Sequence, residues 1–359
     1  MLFNNLKIFL ILVISLMFIA CGDENNYDGQ NGLLSANASA QSIDAAIGSI
    51  YDEVIYKDAN ATYEQSLSLL ASIEDLNSTK SEADLIEAQN GFKQLVLFYK
   101  RVEAVYVAGY NDDNMRDIAD FYIEHYIKGS KSQDTAGDLE EVFAGTKTLV
   151  SNSLKGITAL EYTLFGDKED SSTLIAKMNQ NRLDAALLMI NKISSHLLEI
   201  KEYYESTSEF TTSSEDSVSA LLNVLVQQAL NLREIRIGEA AGLVVKYADD
   251  PSADRLEYYY SSYSLEAIKE ILNTHKKVIQ NGLESIAELG SSSSELKAAS
   301  DAINEALSIC NSYSSTLENE LTSQKTTNLF ESVRTIQNNY TALITGLNFE
   351  QDILEADGD

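Results

Sequence analysis

The chain has 359 residues, 44% of them hydrophobic, which supplies a real core for one large domain or two ordinary ones and excludes a disordered protein. Its 26 Lys and Arg stand against 55 Asp and Glu, and a formal net charge of −29 excludes nucleic acid as a partner, because a polyanion would be repelled. Proline occurs once, at Pro251, and period-two runs of Val, Ile and Thr are scarce, so the composition favours an all-α fold.

Residues 1–20 open with a short polar stretch containing Lys7 and continue as an apolar run from Ile8 to Ala20. That run is too short for an ordinary membrane span and reads as a signal peptide. It ends Phe18-Ile19-Ala20-Cys21-Gly22, which resembles the lipobox of bacterial lipoproteins, with Phe18 where leucine is usual. The resemblance implies cleavage before Cys21, a diacylglycerol on its thiol, and a protein anchored to a membrane and facing the periplasm. Gly22 in place of aspartate favours the outer membrane. The polar tract that follows, to residue 40, reads as a flexible tether. Cys310 has no intramolecular partner once Cys21 carries lipid, lies in a helical pattern, and is expected to be a buried small hydrophobe.

Beyond the tether, helical spacing runs from Ser42 to Leu76, and Ser81 with Asp84 forms a capping-box-like start for a second helix reaching Ala108. A shorter helix is expected over Met115–Ile127, a polar loop over Gly129–Gly137, and helices over Leu139–Val150 and Thr173–Tyr204. Glu205–Ser214 reads as a linker. The second half repeats the style, with helices near Asp216–Glu239, Ser264–Leu289, Ser294–Leu321 and Thr326–Thr345. Its first two helices are joined by an irregular tract, Ala241–Tyr263, whose length marks it for function or disorder. The expected organisation is two helical bundles, residues 41–206 and 207–359, with a cleft between them.

Chemistry-bearing motifs are few. No phosphate loop, dinucleotide fingerprint, nucleophile elbow or His-Glu-x-x-His pattern occurs. His125, His196 and His275 each stand alone on a helix and read as surface or packed residues. The central stretch Gly156–Gly166 places Ile157, Leu160, Leu164 and Phe165 on one face of a short helix, with Thr158 and Glu161 three residues apart on a common face as a potential half-site. Arg233 and Arg236 end the apolar run from Leu221; either they compensate a helix dipole, or Arg233 pairs with a carboxylate across the bundle interface.

Gly156-Ile157-Thr158-Ala159-Leu160-Glu161-Tyr162-Thr163-Leu164-Phe165-Gly166 resembles the signature of the imelysin family, Gly-x-His-x-x-Glu followed by an apolar ending and glycine. Four further stretches resemble that family in the right order: Phe92–Gly109 with Tyr99 and Glu103; Leu221–Gly238 with Leu232-Arg233; Glu257–Leu265 with Tyr260 and Ser261; and the closing Gly346–Phe349 with Asp357-Gly358-Asp359. The resemblance implies a duplicated pair of helical bundles with a site at their interface, in an envelope protein linked to iron uptake. It also brings a peptidase label that rests on the family's histidine. Thr158 stands in that position here, and a neutral hydroxyl is a poor ligand for zinc or iron and no general base near neutral pH. The expected cleft holds Thr158, Glu161, Glu103, Arg233, Tyr260, Ser261 and Asp357. Glu161 would bind iron or another divalent cation with Glu103 or Asp357, or pair with Arg233. The leading expectation is a non-enzymatic binding component with an envelope transporter as partner; the alternatives are a metallopeptidase and an interaction scaffold.

Overall fold

A computed structural model describes residues 40–124, 130–206 and 214–352, so the signal peptide, Cys21, the tether, His125 and Asp357 lie outside the described residues. The fold is all-α, and no strand occurs among the described residues. No helix there is long and apolar enough to cross a membrane.

The first half is built on a long antiparallel pair, α2 (Tyr56–Thr79) and α3 (Glu82–Glu103). Lys80 turns the chain in a left-handed conformation (φ 52°), and the Ser81 hydroxyl accepts the Asp84 amide at 3.1 Å to cap α3, as the sequence pattern requires. Gly91 lets the pair approach closely, since a Cβ there would sit 3.2 Å from Leu69. A third long helix, α9 (Gln180–Ser206), packs along α2 and covers α7 (Ile157–Phe165). Short helices α4 (Val107–Asn111) and α5 (Asp113–Asp117) pack on each other, and α4 and the π-helical segment Ile118–Glu124 that continues α5 both pack on α9.

The second half stacks α10 (Ser214–Asn231), with a π-helical continuation Leu232–Glu239, against α15 (Gln324–Gly346). On the other side of α15 lie α13 (Ser293–Asn311) and then α11 (Ser264–Val278), and α11 also packs on α3 of the first half. The N-terminal helix α1 (Ala40–Ile50) leads through a π-helical turn into α2, yet it packs on α10, on α12 (Glu284–Leu289) and on the π-helical turn Ile279–Leu283. The contact is close, because a Cβ on Gly282 would meet the Ala46 carbonyl oxygen at 2.4 Å.

Several boundaries differ from the sequence expectation. The expected loop over 129–137 belongs largely to α6 (Ser130–Phe143), while 144–150, expected to be helical, is turn and extended chain. The expected helix from Thr173 is interrupted: α8 (Ser171–Leu174) and a 3-10 turn end at Met178, and α9 starts after it. The Asn179 side chain accepts the Arg182 amide at 3.0 Å and so provides the new helix start. Most of the expected linker, 207–213, lies outside the described residues.

Candidate interface site around Glu161

Helix α7 is buried on every side, not on one face as its periodicity suggests. Gly156 precedes it and Gly166, at φ 58°, ends it; a Cβ on Gly166 would also crowd Glu169 at 2.9 Å. A buried helix end must have its last carbonyls satisfied. Arg182 of α9 supplies Nε to the Thr163 carbonyl (2.9 Å) and Nη2 to the Tyr162 carbonyl (3.0 Å), and Gln89 of α3 donates to the Leu164 carbonyl at 2.8 Å. Neither residue stood out in the sequence; an arginine inside an apolar helical pattern was the available signal.

Glu161 is 1% exposed. A single oxygen of its carboxyl accepts two hydrogen bonds from Ser261, from the backbone amide at 2.8 Å and from the hydroxyl at 2.6 Å. Ser261 belongs to the irregular tract between α10 and α11, so this contact ties the first half of the chain to the second. Burial pushes the Glu161 carboxyl up to about 8; the Ser261 hydrogen bonds oppose the shift, and Glu257 and Glu318 add to it. At neutral pH Glu161 is therefore mainly a neutral acid. Thr158, one turn earlier, is equally buried.

Two lysines flank the carboxyl. Lys93 Nζ lies 5.5 Å from the ring centres of both Phe165 and Tyr263, and burial lowers its pKa against the pull of Glu161. Lys168 Nζ sits 3.6 Å above the Tyr259 ring, lowered by burial while Glu318 and Glu161 oppose. Tyr260 packs edge-on against Tyr162 with ring centres 4.9 Å apart, and burial pushes its hydroxyl up to about 12. Lys168 and Ser262 both adopt positive φ, 58° and 53°, so the rim of the site concentrates residues in a costly conformation.

The other expected members are elsewhere. Glu103 lies in a second cluster with Lys100, Arg236 and Glu257, in which Lys100 Nζ is 5.3 Å from the Tyr258 ring centre. Lys100 pairs with Glu103 and, at 2.5 Å, with Glu257; Arg236 pairs with Glu103 and, through Nε at 3.1 Å, with Glu257. The pairing across the halves that was expected of Arg233 is thus made by Arg236. Arg233 instead turns to its neighbour Glu234 at 2.7 Å and to the Phe330 ring. The reason lies in the π-helical continuation of α10, whose wider winding rotates Arg236 inward. Lys100 was not singled out in the sequence; it is fully buried and opposite in sign to most of the chain.

The donors about Glu161 do not suit a bare iron ion. One oxygen is committed to Ser261, two cations stand nearby, and no group of three His, Cys, Asp or Glu side chains that could hold a metal occurs among the described residues. His196 pairs with Glu199 and stacks on Tyr122, and His275, held below its ordinary range at about 4 by burial, faces the Tyr340 hydroxyl.

Comparison with known proteins places the fold. No curated protein matches the chain. A crystal structure presented as that of an iron-regulated protein A precursor from Parabacteroides distasonis ATCC 8503 superposes with a TM-score of 0.69 at 14% identity, covering 88% of this chain and 97% of the other. An imelysin-like protein from Psychrobacter arcticum 273-4 gives 0.71 at 15% identity, with 88% and 99% covered. The sequence model of the imelysin family matches residues 55–340, most of the folded chain, and this protein belongs to that family.

Proposed function

We propose that the protein is a non-enzymatic binding component of the bacterial cell envelope, held to a membrane by a diacylglycerol on Cys21 and acting in iron uptake beside an envelope transporter. The observation that carries the non-enzymatic reading is the state of Glu161. Its carboxyl is buried, and one of its oxygens is committed to both the amide and the hydroxyl of Ser261, which leaves it neither an accessible base nor a free metal ligand. Thr158, in the family's histidine position, supplies no second catalytic group. The iron link is supported by family membership and by the Parabacteroides protein's description as iron-regulated.

The test is iron accumulation by the parent bacterium under iron limitation, with the gene deleted and then restored as wild type, Cys21→Ser or Glu161→Gln. Reduced accumulation on deletion, restored by the wild type and not by Cys21→Ser, is the expected result. Unchanged accumulation on deletion would remove the uptake role. Cleavage of peptides by the purified protein, lost in Glu161→Gln, would replace it with a peptidase. A second reading is favoured by the Glu161–Ser261 contact itself, which joins segments 100 residues apart: the site is a structural pin of an interaction scaffold. Under that reading Glu161→Gln changes stability and leaves accumulation intact.

A further inference from the structure

The irregular tract that carries Glu257 and Ser261 begins with a feature the Glu161 site does not use. Between Gly242 (φ 69°) and Asp249 (φ 60°) the chain forms a short loop, closed by the Asp249 amide donating to the Gly242 carbonyl at 3.1 Å. At its tip Val245 is 97% exposed, more than any other large hydrophobic side chain among the described residues, and Leu243 is 37% exposed. Lys246, also exposed, is the only charged residue from Leu243 to Ala248. The loop is tightly held. The Leu243 amide donates to the Gly238 carbonyl at 2.9 Å, and the Ser252 amide to the Ala240 carbonyl at 2.8 Å. Val244 packs inward so closely that a Cβ on Gly238 would meet it at 2.5 Å. Arg255 lies 4.0 Å from the Tyr247 ring centre and donates to the Asp250 carboxylate at 2.6 Å, which steadies the base of the loop. A non-glycine residue at positive φ is a costly conformation, and here it helps to hold a valine in water on a rigid support.

Area and chain length say what meets this tip. Two aliphatic side chains at a protruding point fall far short of the ~800 Å² a side that a stable protein pair buries, so neither a second copy nor a protein partner is the better occupant. The tether supplies the other argument. Phe330 of α15 faces Gly238 beside the loop, whereas Gly346, sixteen residues further along the same helix, lies against Ser292. That stretch is about 24 Å of helix at ~1.5 Å per residue. Ser292 follows α12, one of the elements on which α1 packs. The chain therefore leaves the fold toward Cys21 near the end opposite to the tip. Residues 22–39, eighteen in number, reach at most about 60 Å when extended and about 20–25 Å as a flexible coil. With the tip resting on a bilayer, a lipid on Cys21 can thus sit in that same bilayer.

We propose that this loop touches the bilayer in which Cys21 is anchored, with Val245 and Leu243 entering the boundary between headgroups and acyl chains and Lys246 meeting lipid phosphate. The inference rests on the anchor reading above. A contact of this size is weak by itself, but a tether makes it an intramolecular step at high effective concentration. The Lys246 stem lies along apolar surface while its ammonium stays at the headgroups. Asp249 and Asp250, at the base of the loop, remain in water. Because the same tract continues to Ser261, the contact fixes the orientation in which the Glu161 site is presented to the periplasm.

The experiment places the mature lipidated chain in vesicles of equal parts phosphatidylethanolamine and phosphatidylglycerol, with Val245→Cys carrying an environment-sensitive fluorophore. Cys310, 1% exposed, stays unlabelled. A blue shift of the Val245 label, with quenching by brominated lipid, is expected. The same label on Lys297→Cys, just after Ser292 at the opposite end, should show neither. With the label moved to Ala248→Cys, Val245→Asp should abolish the shift and Lys246→Glu should reduce it; thermal melts confirm that the variants are folded. A parallel sample carries hexahistidine in place of residues 1–21 and is held on nickel-chelating vesicles, which reads the tip whether or not Cys21 bears lipid. A shift retained there, with no vesicle association of the untagged chain, removes the anchor reading and keeps the tip. A Val245 label that stays in water on both kinds of vesicle overturns the proposal. So does a label that shifts with protein concentration in the absence of lipid, which would assign the tip to a second copy.

Discussion

Two buried groups of charged residues each take a member from the stretch Glu257–Ser261, and they solve the burial of carboxylates in opposite ways. Burial acts to raise the Glu257 carboxyl, but Arg236 and Lys100 outweigh it and hold the group ionised below its ordinary range. Glu161, with no cation in hydrogen-bonding contact and only the Ser261 dipoles to hold it, gives up its charge and rises to about 8. The same residue type at nearly the same burial is thus an anion in one place and an acid in the other. What decides is a guanidinium or ammonium within direct contact.

The sharpest way to break the contrast is to remove a cation. Lys100→Met keeps the volume of a fully buried side chain and strands Glu103 and Glu257 with one partner between them. A loss of about 3–5 kcal/mol in urea unfolding is expected, the usual cost of an uncompensated buried charge. A loss under about 1 kcal/mol would show that the square is wet and weakly coupled.

Arg182→Met comes next. It deletes a 1% exposed guanidinium that satisfies two carbonyls at the end of α7, and about 2–4 kcal/mol should be lost in the same measurement. If α7 is held chiefly by its apolar packing, the loss falls below that range.

The pH profile sharpens the comparison without a large change in structure. Glu161 has a folded pKa above its unfolded value of 4.5, so the unfolded chain releases its proton first as pH rises. Stability from this group is complete below about 4.5 and declines toward pH 8, with a slope of up to about 1.4 kcal/mol per pH unit. Glu257 has the opposite sign: its contribution is present above the unfolded value and is lost as pH falls through the lower folded value. Glu161→Gln should therefore match the wild type near pH 4 and exceed it in melting temperature near pH 8. A wild type that stays ahead at pH 8 would mean that Glu161 is ionised there.

The two groups also differ in how far the sequence revealed them. The all-α class, the long α2–α3 pair and the Ser81 cap follow from composition, apolar spacing and one local motif, and each rests on neighbours within a turn or two. The Glu161–Ser261 contact was within reach because both residues lie in stretches resembling the family signature. The Lys100–Glu103–Arg236–Glu257 square was not, because its members span 157 positions and their meeting depends on the phase of a π-helical segment, where one extra residue per turn rotates every later side chain. Arg182 was hidden for a similar reason. Its hydrogen bonds go to backbone carbonyls, which leave no trace in residue types.

The smallest expected effect tests that phase directly. Arg233 and Arg236 are three residues apart, and on a regular α-helix they would share a face. Here Arg236 enters the buried square, while Arg233 meets only Glu234 and the edge of the core near Phe330. Arg233→Ala should therefore cost only about 1 kcal/mol, because its carboxylate partner Glu234 is itself 34% exposed to water. Arg236→Ala should cost several times as much, because two carboxylates lose a partner. Equal losses for the two substitutions would mean that α10 continues with regular winding past Asn231, and that Arg233 shares the interface with its neighbour.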